Sequence, residues 1–477
     1  MTRSLFLSAA VLSLALAPLR AAGAGLSPVE QLGLLPQAPA APTPYRLSPQ
    51  AAADWRAADA KYSSKVFKPP QARRLDGPGS TLVMLQGFHW YADDYWYHPP
   101  RGWWGELSSK AGEVAAAGFD VVWFPPVSVG SYYPKEWYNL DSQWGKKSDL
   151  LDAIKAMHRS GVKVLADVVL NHRNGSTNWL DFKSPDWPSN VIVNDDEVWA
   201  QPPYAALPRS IHGDEGQGDF GCRDLDHRNP AVREDTRVFM RWLRHTIGFD
   251  GWRYDMVKGY APGHVAEYNK ASSPLFTVGE YYDTDRQQIV NWIDGTGSGD
   301  KADASTAFDF TQRYALVGAV ETERYELLND NGRPSGVLGW WPAKAVTYVE
   351  SHDTSPRDPN FIRNASQEYR TQRLMGYAYI LTHPGIPCVF WPHFFDWGPA
   401  FREAVTRLVA VRREAGVTST SPMQVLTATN GLYAATIAGE RRQLVLKLGR
   451  NWGWTPGDGW KLEASGERYA VWSRPAN

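Results

Sequence analysis

The 477-residue chain predicts an α/β fold: a closed (β/α)8 TIM barrel, a small subdomain inserted after strand 3, and a C-terminal antiparallel β domain. Three observations carry this reading. Short apolar segments recur along the chain, continuous rather than alternating in polarity, as strands covered on both faces of a parallel sheet require. Amphipathic helical stretches separate them, and eight such strand–helix units argue for closure into a barrel. An open doubly wound sheet is the alternative, but no G-x-G-x-x-G follows the first strand.

The elements follow in order. "MTRSLFLSAAVLSLALAPLRAAGAG" has a basic Arg3, an apolar run from Leu5 to Ala17 and a small-residue cleavage site at Ala22-Gly23-Ala24. It reads as a signal peptide over residues 1–24, so a secreted protein (extracellular or periplasmic) is expected. The apolar run is too short to span a membrane comfortably. Residues 25–77, rich in Ala and Pro ("LLPQAPAAPTP"), read as a linker or weakly ordered arm with a short helix near Ala51–Lys61. The barrel is assigned to 78–172 and 225–416. Its strand candidates are 81–88, 120–126, 162–169, 251–257, 275–282, 305–310, 345–351 and 387–391. Residues 173–224, rich in Asp, Trp, Pro and Gly, are too many for an ordinary βα loop and read as the inserted subdomain. The tail, 417–477, carries strand-like runs such as "LYAATIAG" and "QLVLKLG".

Composition narrows the function. A net charge of −1 gives no electrostatic case for nucleic acid or an anionic membrane. The 22 Trp and 22 Tyr can fill a core or stack on sugar rings. Only two cysteines occur, Cys222 and Cys388, so disulfides do not hold the fold, and a bound metal could.

The chemistry gathers at the strand ends, where barrel enzymes place their active sites. In "GFDGWRYDMVKGY", Arg253 and Asp255 sit two residues apart on a strand and share one face. Burying such a pair costs desolvation energy that attraction only partly recovers. Alone it reads as a structural ion pair. Strand 3, however, ends with Asp167, Asn171 and His172, strand 4 with Arg253, Asp255 and Lys258, strand 5 with Glu280, and strand 7 with His352 and Asp353. Four strands agreeing is a far stronger signal than any one.

These four stretches resemble the four sequence regions of the α-amylase family of glycoside hydrolases (family 13), and are most similar to the plant-type α-amylases. "GWWPAKAVTYVESHDT", "GYAYILTHPGIPCVFWPHFFDWG" and "ERYAVW" carry the likeness, which runs from about Leu82 to the C-terminus. The resemblance implies a secreted α-amylase with Asp255 as nucleophile, Glu280 as acid/base and Asp353 as transition-state stabiliser. The physical argument agrees. Retaining cleavage needs a nucleophilic carboxylate beside a protonated one. Arg253 would favour ionised Asp255, and Asp353 would favour protonated Glu280. The resemblance further implies that His172 and His352 donate to sugar hydroxyls, that Tyr132 stacks under the sugar and that Lys258 contacts the leaving side.

It also implies a calcium ion between the barrel and the inserted subdomain, a cation that takes six to eight hard oxygens. Asn171 and Asp224 match side-chain ligands, and the Gly259 carbonyl matches a backbone one. Asp214 is the expected further carboxylate, with the carbonyl of Gly218 or Gln217 nearby. The run Asp195-Asp196-Glu197 reads as solvated surface. Trp340 and Trp341 match a pair that grips starch granules, and Trp452 a tail-domain sugar contact. Partners are starch or another α-1,4-glucan, with no nucleic acid, no membrane and a monomeric state. Ser351, Tyr254 and Met256 depart from the plant pattern, which leaves product length open. A maltooligosaccharide-forming exo-like enzyme or a transglycosidase of the same family is the alternative. A non-enzymatic carbohydrate binder has no need to hold three carboxylates together.

Overall fold

In the computed structural model, residues 45–476 are described except 71, 93–100, 220, 298 and 300. The expected signal peptide and the arm up to residue 44 lie outside the described residues. Eight parallel strands close the barrel: β1 (Met84–Gln86), β2 (Val121–Pro126), β3 (Lys163–Val168), β4 (Gly251–Tyr254), β5 (Phe276–Gly279), β6 (Thr306–Phe308), β7 (Ala345–Tyr348) and β8 (Ile386–Phe390). Each pairs with its sequence neighbour, and β1 pairs with β8 to close the ring. Almost every strand residue is buried, because helices cover the outside and side chains fill the inside. The strands are shorter than their apolar runs. Many flanking residues are buried as well, though Thr81 and Tyr282 are exposed, and the flanks turn out of the ladder into the rim and floor of the barrel.

The helices show why these segments form them. Asn229 caps the helix Pro230–Trp242 by accepting from Ala231 N–H, with Pro230 at the first position, where its missing N–H costs nothing. Val232, Thr236 and Phe239, spaced four and three apart, turn one face to the barrel.

Residues 46–77 are not a free linker. Pro49–Tyr62 forms a helix whose Ala51, Ala58 and Tyr62 are buried. Small residues seven apart let it lie close against the helix Pro230–Trp242. Lys147 pairs with Asp54 at 2.5 Å, Ser64 N–H donates to Glu234 at 2.6 Å, and Thr277 N–H of β5 donates to Asp76 at 2.9 Å. The Ala/Pro composition that marks this stretch as a linker hides that periodic face.

Between β3 and β4, a two-residue antiparallel ladder joins His172–Arg173 to Arg223–Asp224, with His172 opposite Asp224. This ladder ties the far end of the insertion back to the barrel rim. The tail is a five-stranded antiparallel sheet of β9 (Met423–Thr429), β10 (Leu432–Ala438), β11 (Arg442–Leu448), β12 (Lys461–Gly466) and β13 (Tyr469–Pro475), in the order β9-β10-β11-β13-β12. Cys222 and Cys388 are both free and buried.

Candidate active site

Register sets the centre of the site. β3 and β4 pair with Asp167 beside Arg253, so the carboxylate and guanidinium meet inside the barrel at 2.8 Å. Arg253 is 1% exposed and reaches three carboxylates: Asp167, Asp255 at 2.5 Å and Glu280 at 2.9 Å. Its guanidinium also lies 4.9 Å from the centre of the Trp123 ring. The ion pair expected at one strand end is therefore a hub that binds the ends of three strands. Three carboxyl partners offset more of the cost of burying that cation than a single one would.

The sequence marks Asp167 as a strand-end residue but assigns it no role. It lies near the end of β3, four residues before Asn171. It accepts from Arg253, from the Tyr132 hydroxyl at 2.9 Å and from the Trp123 indole N–H at 3.0 Å. Burial pushes its carboxyl up to about 7, against the pull of Arg253.

After Asp255 the chain turns sharply. Met256 adopts φ 41°, a left-handed conformation that costs a non-glycine residue energy. That turn aims Met256 N–H at Glu280, which accepts it at 3.0 Å. Glu280 keeps only 12% of its side chain exposed. Its carboxyl is held well above the usual range, first by burial and then by the negative charges of Asp255 and Asp353, with Arg253 opposing. Asp353 contributes, but less than burial and Asp255, which refines the cause expected from sequence.

His352 and Asp353 follow β7. His352 Nδ1 faces the Gln86 amide at 3.0 Å and its Nε2 faces Asp353 at 3.1 Å. Burial lowers this imidazole to about 4 even beside a carboxylate. A neutral ring fits both partners, its Nδ1 accepting from Gln86 while its Nε2–H lies beside Asp353. Tyr132 stacks on it with ring centres 5.3 Å apart and planes 10° from parallel. His172 directs Nε2 at the Tyr132 carbonyl, 2.9 Å away, so the N–H expected to meet a sugar is engaged by the backbone here. Lys258 pairs with Asp283 at 2.9 Å.

Asp255, Glu280, Asp353, Tyr132, His172, Lys258 and His352 line one open cleft of about 500 Å³ at the C-terminal end of the barrel. Trp90, Tyr282 and Arg357 line it too. Tyr282 ends the strand candidate 275–282 and Trp90 follows the first candidate closely, whereas Arg357 lies on a loop beyond the seventh. A rim of carboxylates, aromatic faces and neutral hydrogen-bonding groups suits a polyhydroxylated, uncharged ligand.

Beside the cleft, the expected metal residues converge. Asn171 donates to Asp224 at 3.2 Å, and Asn171 Oδ1 lies so close to Gly259 that an added Cβ there would stand 1.7 Å from it. A Cβ on Gly218 would stand 2.5 Å from Asp224 and 3.0 Å from Asp214. Asp195, Asp196, Glu197, Asp214, Asp219 and Asp224 all face one polar hollow. Burial, joined by Asp214, Asp196 and Asp219, pushes the Asp224 carboxyl up to about 8. Crowded, buried oxygens whose negative charge has too little compensation fit a hard divalent cation. The run Asp195-Asp196-Glu197 is only partly solvated surface: Asp195 is exposed, but Asp196 is buried, pairs with Arg223 at 2.5 Å and accepts from Asp224 N–H. A charge run gives no hint of burial when its partner, Arg223, lies far along an irregular insertion.

Trp340 and Trp341 precede β7 and do not line the cleft. Trp340 is 43% exposed, with the Arg286 guanidinium 3.7 Å from its ring centre, while Trp341 packs partly against the core. Trp452 is exposed in the tail, its ring 5.0 Å from the Lys447 ammonium.

Comparison with known proteins gives a consistent result. The family described as "Alpha amylase, catalytic domain" matches residues 102–204, and "Alpha-amylase C-terminal beta-sheet domain" matches 414–473. The chain is 36% identical to probable alpha-amylase 2 of Arabidopsis thaliana, across 82% of this chain and 94% of that one. It is 30% identical to glucan 1,4-alpha-maltotetraohydrolase of Stutzerimonas stutzeri, across 82% and 72%. The crystal structure of alpha-amylase from Geobacillus thermoleovorans complexed with acarbose superposes with a TM-score of 0.61 at 16% identity, covering 84% of this chain and 99% of that one. At that identity the likeness is one of fold.

Proposed function

Because the chain belongs to the α-amylase family of glycoside hydrolases, we propose that it is a secreted, calcium-dependent α-amylase. It cuts α-1,4-glucosidic bonds within starch and related glucans, with retention of configuration. The observation that carries this reading is the meeting of Asp255, Glu280 and Asp353, from three different strands, in one cleft, with the first two held by the buried Arg253.

In this mechanism Glu280, held protonated by burial, gives its proton to the glycosidic oxygen while Asp255 attacks the anomeric carbon. A glycosyl ester on Asp255 results, and the leaving chain departs with the proton. Water then enters, Glu280 takes its proton back, and the resulting hydroxide displaces Asp255. Arg253 keeps the two carboxylates adjacent. Asp353 stabilises the positive charge that develops on the sugar ring, and His352, neutral between Gln86 and Asp353, is a hydrogen-bonding wall that adds no charge of its own. Tyr132 supplies an apolar face for the sugar, and Lys258 holds the leaving side.

Asn171, Asp214, Asp224 and the Gly259 carbonyl would hold calcium. The ion supplies charge compensation that ties the inserted segment to the rim, a structural contribution. Trp340 and Trp341 form a granule-gripping patch outside the cleft. The N-terminal basic, apolar and small-residue sequence supports export, and the enzyme acts as a monomer.

The likeness to a maltotetraohydrolase keeps a second reading in play, an exo-like enzyme that releases one preferred oligosaccharide. Proton NMR of the first products tests the chemistry. The α-anomer should appear before mutarotation, and initial release of the β-anomer would rule out the double displacement.

A further inference from the structure

We propose that His172, Asp219 and Cys222 form a separate metal site at the wall of the cleft, suited to a borderline transition-metal cation such as Zn2+. The imidazole, carboxylate and thiol ligand atoms all lie within 4.8 Å of one another. His172 Nδ1 stands 3.9 Å from Asp219 Oδ2, whereas two such ligands on a tetrahedral zinc stand about 3.4 Å apart. A shift of well under 1 Å in flexible side chains closes that gap.

Two further observations point the same way. The Cys222 thiol is fully buried and has no hydrogen-bond partner among the described residues. A structural cysteine of this kind normally sits among apolar groups. Cys222 instead has Asp219, Arg223, Asp224 and Glu197 as electrostatic neighbours. The His172 ring is also already arranged as a ligand. Its Nε2–H donates to the Tyr132 carbonyl at 2.9 Å, which fixes the tautomer and leaves the Nδ1 lone pair facing Asp219. Nδ1 now takes only a 3.3 Å contact from the Asn171 amide, which a metal would replace. The ladder pairing His172 with Asp224 holds the residues on either side of the site in register.

The donor set separates this site from the all-oxygen cluster nearby. Nitrogen and sulfur favour zinc over calcium. On binding, the Cys222 thiol proton leaves to solvent and the thiolate, imidazole and carboxylate take three positions. His172 and Asp219 both line the cleft, so the fourth position opens towards it. An occupied site would narrow the cleft and slow hydrolysis. That consequence alone rests on the function proposed above.

The test is titration of the calcium-saturated full chain with Co2+, followed by displacement with Zn2+. One equivalent of cobalt should develop a thiolate-to-metal charge-transfer band that zinc abolishes. Cys222→Ala should lack the band and bind Zn2+ about tenfold more weakly or worse, while keeping its starch activity without zinc and losing zinc inhibition. Absence of the band in the parent, or equal zinc affinity in Cys222→Ala, overturns the proposal. Cys222→Ser, checked by thermal melting, gives the same comparison should the alanine variant not fold. The absorption band decides the matter even if the protein has no activity on starch.

Discussion

The Arg253 guanidinium lies 2.9 Å from Oε2 of Glu280, and its other amino group meets Asp255 at 2.5 Å and Asp167 at 2.8 Å. One planar fork thus spaces the two carboxylates on which the proposed chemistry depends. A lysine offers a point charge and cannot bridge them. Arg253→Lys should lower kcat by about 10²-fold or more with a small change in KM. Circular dichroism melting should separate this from loss of fold.

The raised Glu280 carboxyl sets the alkaline side of the activity profile. As pH rises through its folded value the general acid loses its proton and kcat falls. Glu280→Gln should be inactive at every pH. The same substitution should also gain stability relative to the parent as pH rises, because a group with a raised folded pKa favours the fold when protonated and opposes it once ionised. Parallel urea titrations at acidic and alkaline pH check this sign.

His352 has the opposite linkage. The unfolded ring takes a proton near 6.5, the folded one only near 4, so the stability it contributes is full above 6.5 and is lost as pH falls through that window. The whole effect is about 3 kcal/mol. Other buried histidines add to the parent's acid lability. His352→Gln should therefore lose less stability than the parent between pH 6.5 and 4, measured by denaturant midpoints.

Calcium removal is the third lever. EGTA should lower Tm and abolish activity, and added calcium should restore both. Gly259→Ala places a Cβ 1.7 Å from the Asn171 amide oxygen, so it should weaken calcium binding without touching a carboxylate. Isothermal titration with calcium reads the difference directly.

Outside the cleft, Trp340→Ala should reduce adsorption to starch granules more than it reduces turnover of soluble starch. Sedimentation of enzyme with granules measures the first.

Much of this architecture is legible in the sequence because barrel strands are buried on both faces and read as unbroken apolar runs. The residues that end them, Asp255, Glu280 and His352-Asp353, stand out against that background. Asp167 and Gln86 are less visible. Their roles come from barrel register and closure, which bring Asp167 beside Arg253 and Gln86 beside His352. Asp196 is misread because its partner Arg223 is reached only through the folded insertion. The helix Pro49–Tyr62 is understated because Ala and Tyr give a weak amphipathic signal, yet its small residues allow close packing.

The most direct measurement follows iodine colour and reducing ends together as the mature protein and its Asp255→Asn variant act on soluble starch. Early collapse of colour with few reducing ends, in the parent alone, is the result predicted for endo-hydrolysis through Asp255. Equal activity in the variant, or no activity from the parent with calcium present, would contradict the account.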